Sequence, residues 1–239
     1  MKIFITGVAG FLGSNLAEHF LSMGDEVYGC DNLHGGDLKN IENLKVKFFK
    51  GDCNDLNFMK SCIPDNTDCL VHSAAYAHEG LSVFSPHLIS SNIFSASVSV
   101  FSASIIKKVK RIVFCSSMAR YGDLKKDFDE NDIPKPKDPY GIAKLAAENV
   151  LISLSEVHGF EYNIAVPHNI IGKNQNYSDP FRNVAGIMIN RILMNKSPII
   201  YGDGEQKRCF SYIDDVVYCL EKMALDKNIK NEIFNIGPD

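Results

Sequence analysis

Short β-branched and aromatic runs alternate with longer stretches of helical period along this chain. Apolar runs at residues 2–6, 26–30, 46–50, 69–73, 111–116 and 161–166 end at glycine, aspartate, serine or proline punctuation, and a further run lies at 233–236. Their length and bounding residues predict strands. Helical period covers 11–23, closed by Gly24, and again 88–108 and 140–158. Strands that alternate with helices need crossover connections, so the pattern predicts an α/β fold: a doubly wound parallel sheet with helices on both faces. Residues 125–139 read as a loop, because prolines at 134, 136 and 139 deny both helix and interior strand. From Pro167 the rhythm breaks. Residues 167–212 hold two short apolar segments among Asn, Gly and Pro, which predicts a small lobe set on the sheet. The expected division is therefore 1–166, rejoined by 213–237, with 167–212 as the lobe.

Composition narrows the picture only at a few points. The 239 residues carry 45% hydrophobic and 23% charged side chains with a net charge of -4, an ordinary globular balance without the basic surface that nucleic acid demands. The apolar runs are far shorter than the roughly 20 residues of a membrane span, so no membrane partner is expected. Met1–Gly7 enters the first strand at once, which predicts that no secretion leader precedes the fold. Cysteines at 30, 53, 62, 69, 115, 209 and 219 are odd in number and contain no C-x-x-C pair. They read as reduced thiols of a cytoplasmic protein, with neither a disulfide frame nor a metal site.

The first strand runs into Thr6-Gly7-Val8-Ala9-Gly10-Phe11-Leu12-Gly13, a G-x-x-G-x-x-G loop that opens the first helix. Gly7 allows the tight turn, Gly10 the approach of a pyrophosphate to the backbone, and Gly13 the close packing of helix on strand. The phosphate would then sit at a helix N-terminus, where free N–H groups and the dipole favour negative charge. The second strand ends in Asp31, 18 residues after Gly13. A carboxylate there suits the adenosine ribose hydroxyls and repels a 2′-phosphate, which favours NAD over NADP. Taken alone, Asp31 also reads as a turn residue at a strand end. Asp52, after Gly51 at the end of the third strand, suits an adenine amine or a plain turn equally well.

Tyr140-Gly141-Ile142-Ala143-Lys144 puts a phenol and an ammonium four apart, on one face of a helix. A free tyrosine has a pKa of about 10. A neighbouring cation stabilises the phenolate and brings it toward working range, as alcohol oxidation requires. The fifth strand ends in Cys115-Ser116-Ser117-Met118-Ala119-Arg120-Tyr121-Gly122, where a serine hydroxyl can both donate to and accept from a substrate alcohol. In isolation the pair reads as an exposed helical pair, and the serines as turn formers.

Jointly these motifs carry a resemblance. With Asp31-Asn32-Leu33, Gly51-Asp52, His72-Ser73-Ala74-Ala75, Asn92 and Gly202-Asp203-Gly204…Arg208, the chain resembles the extended short-chain dehydrogenase/reductases. The match is to nucleotide-sugar epimerases of the UDP-glucose/galactose 4-epimerase type, from Met1 to Asp239. The resemblance implies a Rossmann domain with NAD, and a catalytic set of Ser117, Tyr140 and Lys144. NAD would touch Gly7, Gly10, Phe11, Leu12, Gly13, Asp31, Asn32, Asp52, Cys53, the turn Ser73, Ala74, Ala75 and Ala77, then Asn92, Tyr140, Lys144 and His168. Ser117, Asn169, Asn183 and Arg208 match positions that hold the sugar nucleotide. A guanidinium at 208 suits a diphosphate, whose oxygens it binds as a fork.

The resemblance further implies reversible oxidation at the hexose C4 of a UDP-sugar, and a homodimer paired through helices 88–108 and 140–158. Phe94, Val98, Phe101 and Ile105 form a helical stripe that fits either such an interface or ordinary core. There are departures. Met118 and Ala119 stand where related 4,6-dehydratases carry acids, which disfavours dehydration. Val166-Pro167-His168 replaces an Arg and aromatic pair, and Ala77 a polar residue of the phosphate turn. Relatives continue past the strand ending at Gly237, so the resemblance implies an incomplete substrate lobe here. Two alternatives stay open: a reductase of 4-keto nucleotide sugars, and a truncated NAD-binding protein without catalysis.

Overall fold

Every predicted strand forms, and each lies parallel to its neighbours. The computed structural model describes residues 1–123, 127–179, 183–200, 202–205 and 207–237. In chain order, β1 (Lys2–Thr6) leads to α1 (Phe11–Ser22), β2 (Glu26–Asp31), β3 (Lys47–Lys50), α2 (Leu56–Cys62), β4 (Cys69–His72) and a single turn, α3 (Glu79–Ser82). Next come α4 (Pro86–Ser90) and α5 (Ala96–Ile106), joined through a π-helical turn, Ser91–Ser95. β5 (Arg111–Cys115), the 3-10 turn Met118–Tyr121, α6 (Pro139–His158) and β6 (Glu161–Pro167) follow. The chain then makes β7 (Asn169–Ile171), α7 (Val184–Leu193), β8 (Phe210–Tyr212), α8 (Ile213–Leu225) and β9 (Glu232–Ile236).

The main sheet has the order β3-β2-β1-β4-β5-β6-β9, and β7 pairs with β8 in a small separate sheet. The winding reverses between β1 and β4, and the carboxyl ends of those two strands open a crevice there, the usual ligand position of a doubly wound sheet. β4 and β5 lie at the centre and are buried at every position, which is why they read as continuous apolar runs. One face of the sheet packs against α1 and α8 through Leu16, Phe20, Val216 and Leu220. The other packs against α2, α5 and α6 through Met59, Val100, Phe101, Ala147 and Leu151.

The expected elements shift by one or two residues at their ends, for local reasons. α6 begins at Pro139, a residue that fits the first helical position. Asp138 caps it, its side chain accepting from the Gly141 N–H at 2.9 Å. The helix expected over 88–108 spans Pro86–Ile106 instead, again with proline near its start. By length and composition this 21-residue helix could cross a bilayer, although the apolar runs within it are short. Here it packs Ile93, Val100 and Phe101 into the interior, so its apolar character serves the core. The stripe Phe94–Ile105 divides accordingly: Phe101 is buried and the other three are half-buried. Residues 127–138 form neither helix nor strand, as the prolines predict, while Lys125 and Lys126 of that loop lie outside the described residues.

Arg111 reads in the sequence only as the first residue of a strand, and the fold gives it a second task. Its Nη1 donates to the carbonyls of Met223, Ala224 and Asp226 at 2.7–3.3 Å, closing the C-terminus of α8, while its Nε and Nη2 hold Glu161 at 3.0 and 2.6 Å. The side chain is buried, so the carbonyls have little access to water once it is gone. Arg111→Met is therefore expected to cost about 2–3 kcal/mol of stability, measurable as a lower urea midpoint with an unchanged m-value.

Candidate active site

One cleft of about 1860 Å³ runs along the carboxyl ends of the strands, and all of the site residues anticipated above line it. That is larger than a usual ligand pocket of about 300–1,000 Å³ and leaves room for two ligands side by side.

The glycine loop forms one end. Gly7 takes φ +69°, and a Cβ there would lie 2.9 Å from the Ala74 Cα. A Cβ on Gly13 would overlap the Gly7 carbonyl oxygen, so α1 can meet β1 only with glycine at that place. Gly10 caps α1 with no side-chain partner, and the first turn carries no acidic residue. The helix N-terminus is thus left with free N–H groups beside Phe11 and Leu12, suited to an anion.

Asp31 sits at the end of β2 with its two oxygens accepting from the Ala9 and Leu33 N–H groups at 3.1 and 2.8 Å. Burial pushes its carboxyl up, against the pull of those backbone donors. Two N–H bonds occupy half of a carboxylate's acceptor capacity, so room remains for hydroxyl donors. Burial also raises Asp52, but donors from Asn54 and Asn32 outweigh it and hold the carboxyl below its ordinary range. Asp52 makes the turn that was one of its two readings, accepting from the Asn54 N–H at 2.8 Å, and it also lines the cleft beside Cys53, as the adenine-contact reading requires.

The Ser73–Ala77 turn is held by Thr6, His72 and Asn92 of the motifs above, together with Ser97, which the sequence did not single out. Thr6 Oγ1 accepts from the Ala74 N–H at 3.1 Å and contacts His72 Nδ1 at 2.7 Å, and His72 Nε2 meets Ser97 Oγ at 3.0 Å. Burial and the Lys144 cation drive the His72 pKa down to about 3, so the ring is neutral and serves as a strut between strands and helix. Asn92 lies in the π-helical turn and its Oδ1 accepts from the Tyr76 N–H at 2.8 Å, clamping the same turn.

Ser117, Tyr140 and Lys144 line the same cleft. The Ser117 hydroxyl caps the 3-10 turn by accepting from the Ala119 N–H at 3.2 Å. Tyr140 and Lys144 share a buried face of α6. The Tyr140 ring packs with Ile89, Ile93 and Ala143. Lys144 Nζ donates to the Cys115 carbonyl at 2.6 Å and lies 4.9 Å over the Phe114 ring. Burial lowers its pKa to about 8, with Cys115 and Glu148 resisting, so at neutral pH it keeps its charge. Glu148, four residues on, was missed. An acidic residue at i+4 from the lysine was the available signal, because that spacing shares a face.

The lobe residues are placed more loosely. Burial keeps the His168 ring below its usual range, and its side chain fills the space a Cβ at Gly237 would need. Asn169 Nδ2 donates to the Cys209 carbonyl at 3.2 Å. Asn183 is the N-cap of α7, accepting from Gly186 and donating to the Ile170 carbonyl at 3.1 and 2.9 Å. Arg208 is exposed at the rim, next to Lys207.

The family model for the NAD dependent epimerase/dehydratase family matches residues 3–237. The chain belongs to this family. Among solved structures, the UDP-glucose 4-epimerase of Thermotoga maritima, determined with UDP-glucose, superposes with a TM-score of 0.91 at 32% identity, over 99% of this chain and 77% of that one. The UDP-N-acetylglucosamine 4-epimerase of Methanobrevibacter ruminantium, in complex with UDP-N-acetylmuramic acid, gives 0.91 at 30% identity, over 99% and 76%. The human dTDP-D-glucose 4,6-dehydratase is 31% identical over 249 residues, covering 99% of this chain and 69% of that protein. The chain thus spans about 70–77% of the length of these relatives.

NAD is the cofactor of the family, and the cleft fits it. The Gly7 and Gly13 contacts admit no Cβ, the first turn of α1 presents unpaired N–H groups, and Asp31 retains acceptor capacity at the end of β2.

Proposed function

We propose that this chain epimerises a UDP-hexose at C4 through a transient 4-keto sugar, with NAD held by the glycine loop and Asp31. The single observation that carries this is the buried Tyr140–Lys144 pair beside Ser117, on a turn whose next residues, Met118 and Ala119, bring no acid. Bound NAD supplies the hydride acceptor and donor for C4. Tyr140 removes the C4 hydroxyl proton and later returns it, and Ser117 orients that hydroxyl. Lys144 lends its positive charge to the Tyr140 phenolate, the form that accepts the proton, and its bond to the Cys115 carbonyl fixes where that charge sits. The neutral His72 adds no competing charge. Arg208 and Lys207 face the cleft from the lobe, where a diphosphate needs cations. The volume of the cleft gives a keto sugar room to present either face. Relatives named for epimerisation of UDP-glucose and UDP-N-acetylglucosamine support the same substrate class.

On this reading, 1–166 with 213–237 forms the NAD-binding domain and 167–212 the substrate lobe, a division supported by the separation of the β7–β8 pair from the main sheet. Leu88 and Ile106 on the long helix and Ile142 and Val157 on α6 expose apolar side chains. They support a homodimer through these helices. The free cysteines favour a cytoplasmic location, where thiols stay reduced.

Incubation of the purified chain with UDP-glucose or UDP-N-acetylglucosamine, followed by proton NMR, tests the reading. The expected result is appearance of the C4 epimer with no added reduced cofactor. Net consumption of NADH with a 4-keto nucleotide sugar would assign a reductase instead. Retained NAD with neither reaction would assign a binding protein.

A further inference from the structure

Beneath the catalytic residues lies a buried charge pair with no place in the mechanism above. Arg120 and Glu148 are 4% and 1% exposed, and Arg120 Nη2 stands 3.1 Å from Glu148 Oε2. Glu148 Oε1 accepts the Ser116 hydroxyl. Arg120 lies over the Tyr121 ring, 5.0 Å from its centroid, and the Tyr121 hydroxyl donates to Asn235 Oδ1 at 3.0 Å on β9. Three elements are tied at one point: the turn that follows β5, helix α6 and the edge strand.

We propose that the Arg120–Glu148 pair is a positioning device for the catalytic set, pinning the turn that carries Ser117 to the helix that carries Tyr140 and Lys144. The inference rests on the epimerase reading of the cleft and deepens it. The turn and the helix already touch closely, since a Cβ on Gly141 would lie 2.6 Å from the Ala119 carbonyl oxygen. Packing of that kind limits approach but does not fix sliding. The pair adds a charge contact across that seam: a carboxylate on α6 faces a guanidinium three residues past Ser117, and the preceding Ser116 hydroxyl donates to the other oxygen of the same carboxylate.

The pair also bears on Lys144. That ammonium faces the Cys115 thiol and carbonyl from β5, His72 from β4 and Glu148 from its own helix, with Arg120 beyond Glu148. Glu148 is the one carboxylate among these groups, and it favours the charged lysine. Burial raises the Glu148 carboxyl, and the Arg120 guanidinium pulls against that rise. A pair kept only for stability is replaceable by neutral residues of similar volume at little cost. A pair that positions the reacting groups is not.

The test is the double variant R120M/E148Q, in which the amide introduced at position 148 keeps an acceptor for Ser116 and no charge is left behind. The expected result is unchanged melting and NAD binding, a KM within about twofold, and a kcat lowered about tenfold. In the NAD-free protein, carbon-13 NMR of labelled lysine should show Lys144 titrating lower in the double variant than in the wild type, because the carboxylate that favours its charge is gone. An unchanged kcat with an unchanged Lys144 titration would overturn the proposal and leave the pair as packing. If the double variant fails to fold, R120K decides: it keeps the charge without the fork, and a lowered kcat at unchanged melting supports the proposal, whereas wild-type kcat overturns it. Wild-type protein that does not interconvert UDP-sugars would remove the epimerase reading, and the lysine titration would still report on the pair.

Discussion

Tyr140→Phe is expected to lower turnover by about 10³-fold while leaving the fold and NAD binding intact, because only the proton-transferring hydroxyl is lost. The ring packs with Ile89, Ile93 and Ala143, contacts that phenylalanine reproduces, so no cavity forms. Lys144 keeps its bond to the Cys115 carbonyl and its buried charge. The glycine loop and Asp31, at the other end of the cleft, are untouched. Progress curves with UDP-glucose measure the loss, and absorbance and mass spectrometry of the purified variant measure retained NAD. Wild-type turnover in this variant would remove Tyr140 as the base and with it the proposed route.

Gly13→Ala has the second large effect, on the cofactor and not on the chemistry. The added methyl would overlap the Gly7 carbonyl oxygen and press on Val8 Cα, both backbone atoms of the loop. No side chain can swing aside to relieve this. The helix must move off β1, which disrupts the loop and the unpaired N–H groups at the start of α1. Overpacking of this kind costs about 1–3 kcal/mol, and the backbone contact places this case at the upper end. The expected outcome is a lower melting temperature and NAD affinity weakened at least about tenfold, since the pyrophosphate site itself is displaced. Isothermal titration with NAD and a thermal melt check both. An unchanged affinity would show that the loop does not hold the dinucleotide.

The two variants probe opposite ends of one cleft, and the ends differ in how legible they were. The glycine loop, Asp31 and the Tyr140–Lys144 pair are local patterns: a turn between one strand and one helix, a strand end, and an i, i+4 pair. Each is written in a few adjacent residues, and each falls in the cleft where the winding of the sheet reverses. Asn92 and Asn183 were named as ligand-binding residues; both line the cleft, and their observed hydrogen bonds are structural. One clamps the Ser73–Ala77 turn and the other caps α7. A cap asparagine before a helical run was readable at 183, and the weak rhythm after Pro167 hid it.

The supports of the site were not legible, because they join residues far apart in the chain. Thr6 reaches His72 and His72 reaches Ser97, Arg111 closes the end of α8, and Arg120 faces Glu148. Hydrophobic period says which face of an element turns inward, and not which element it will meet. By itself the sequence determined the alternation of strands and helices, the parallel sheet that crossovers require, and the identity of the groups at the strand ends. Only the tertiary structure decided the strand order, the meeting of the 3-10 turn with α6, and the burial that lowers Lys144 and neutralises His72. Local backbone preference is set by neighbouring residues. Desolvation and charge pairing depend on distance in space, which no run of adjacent residues contains.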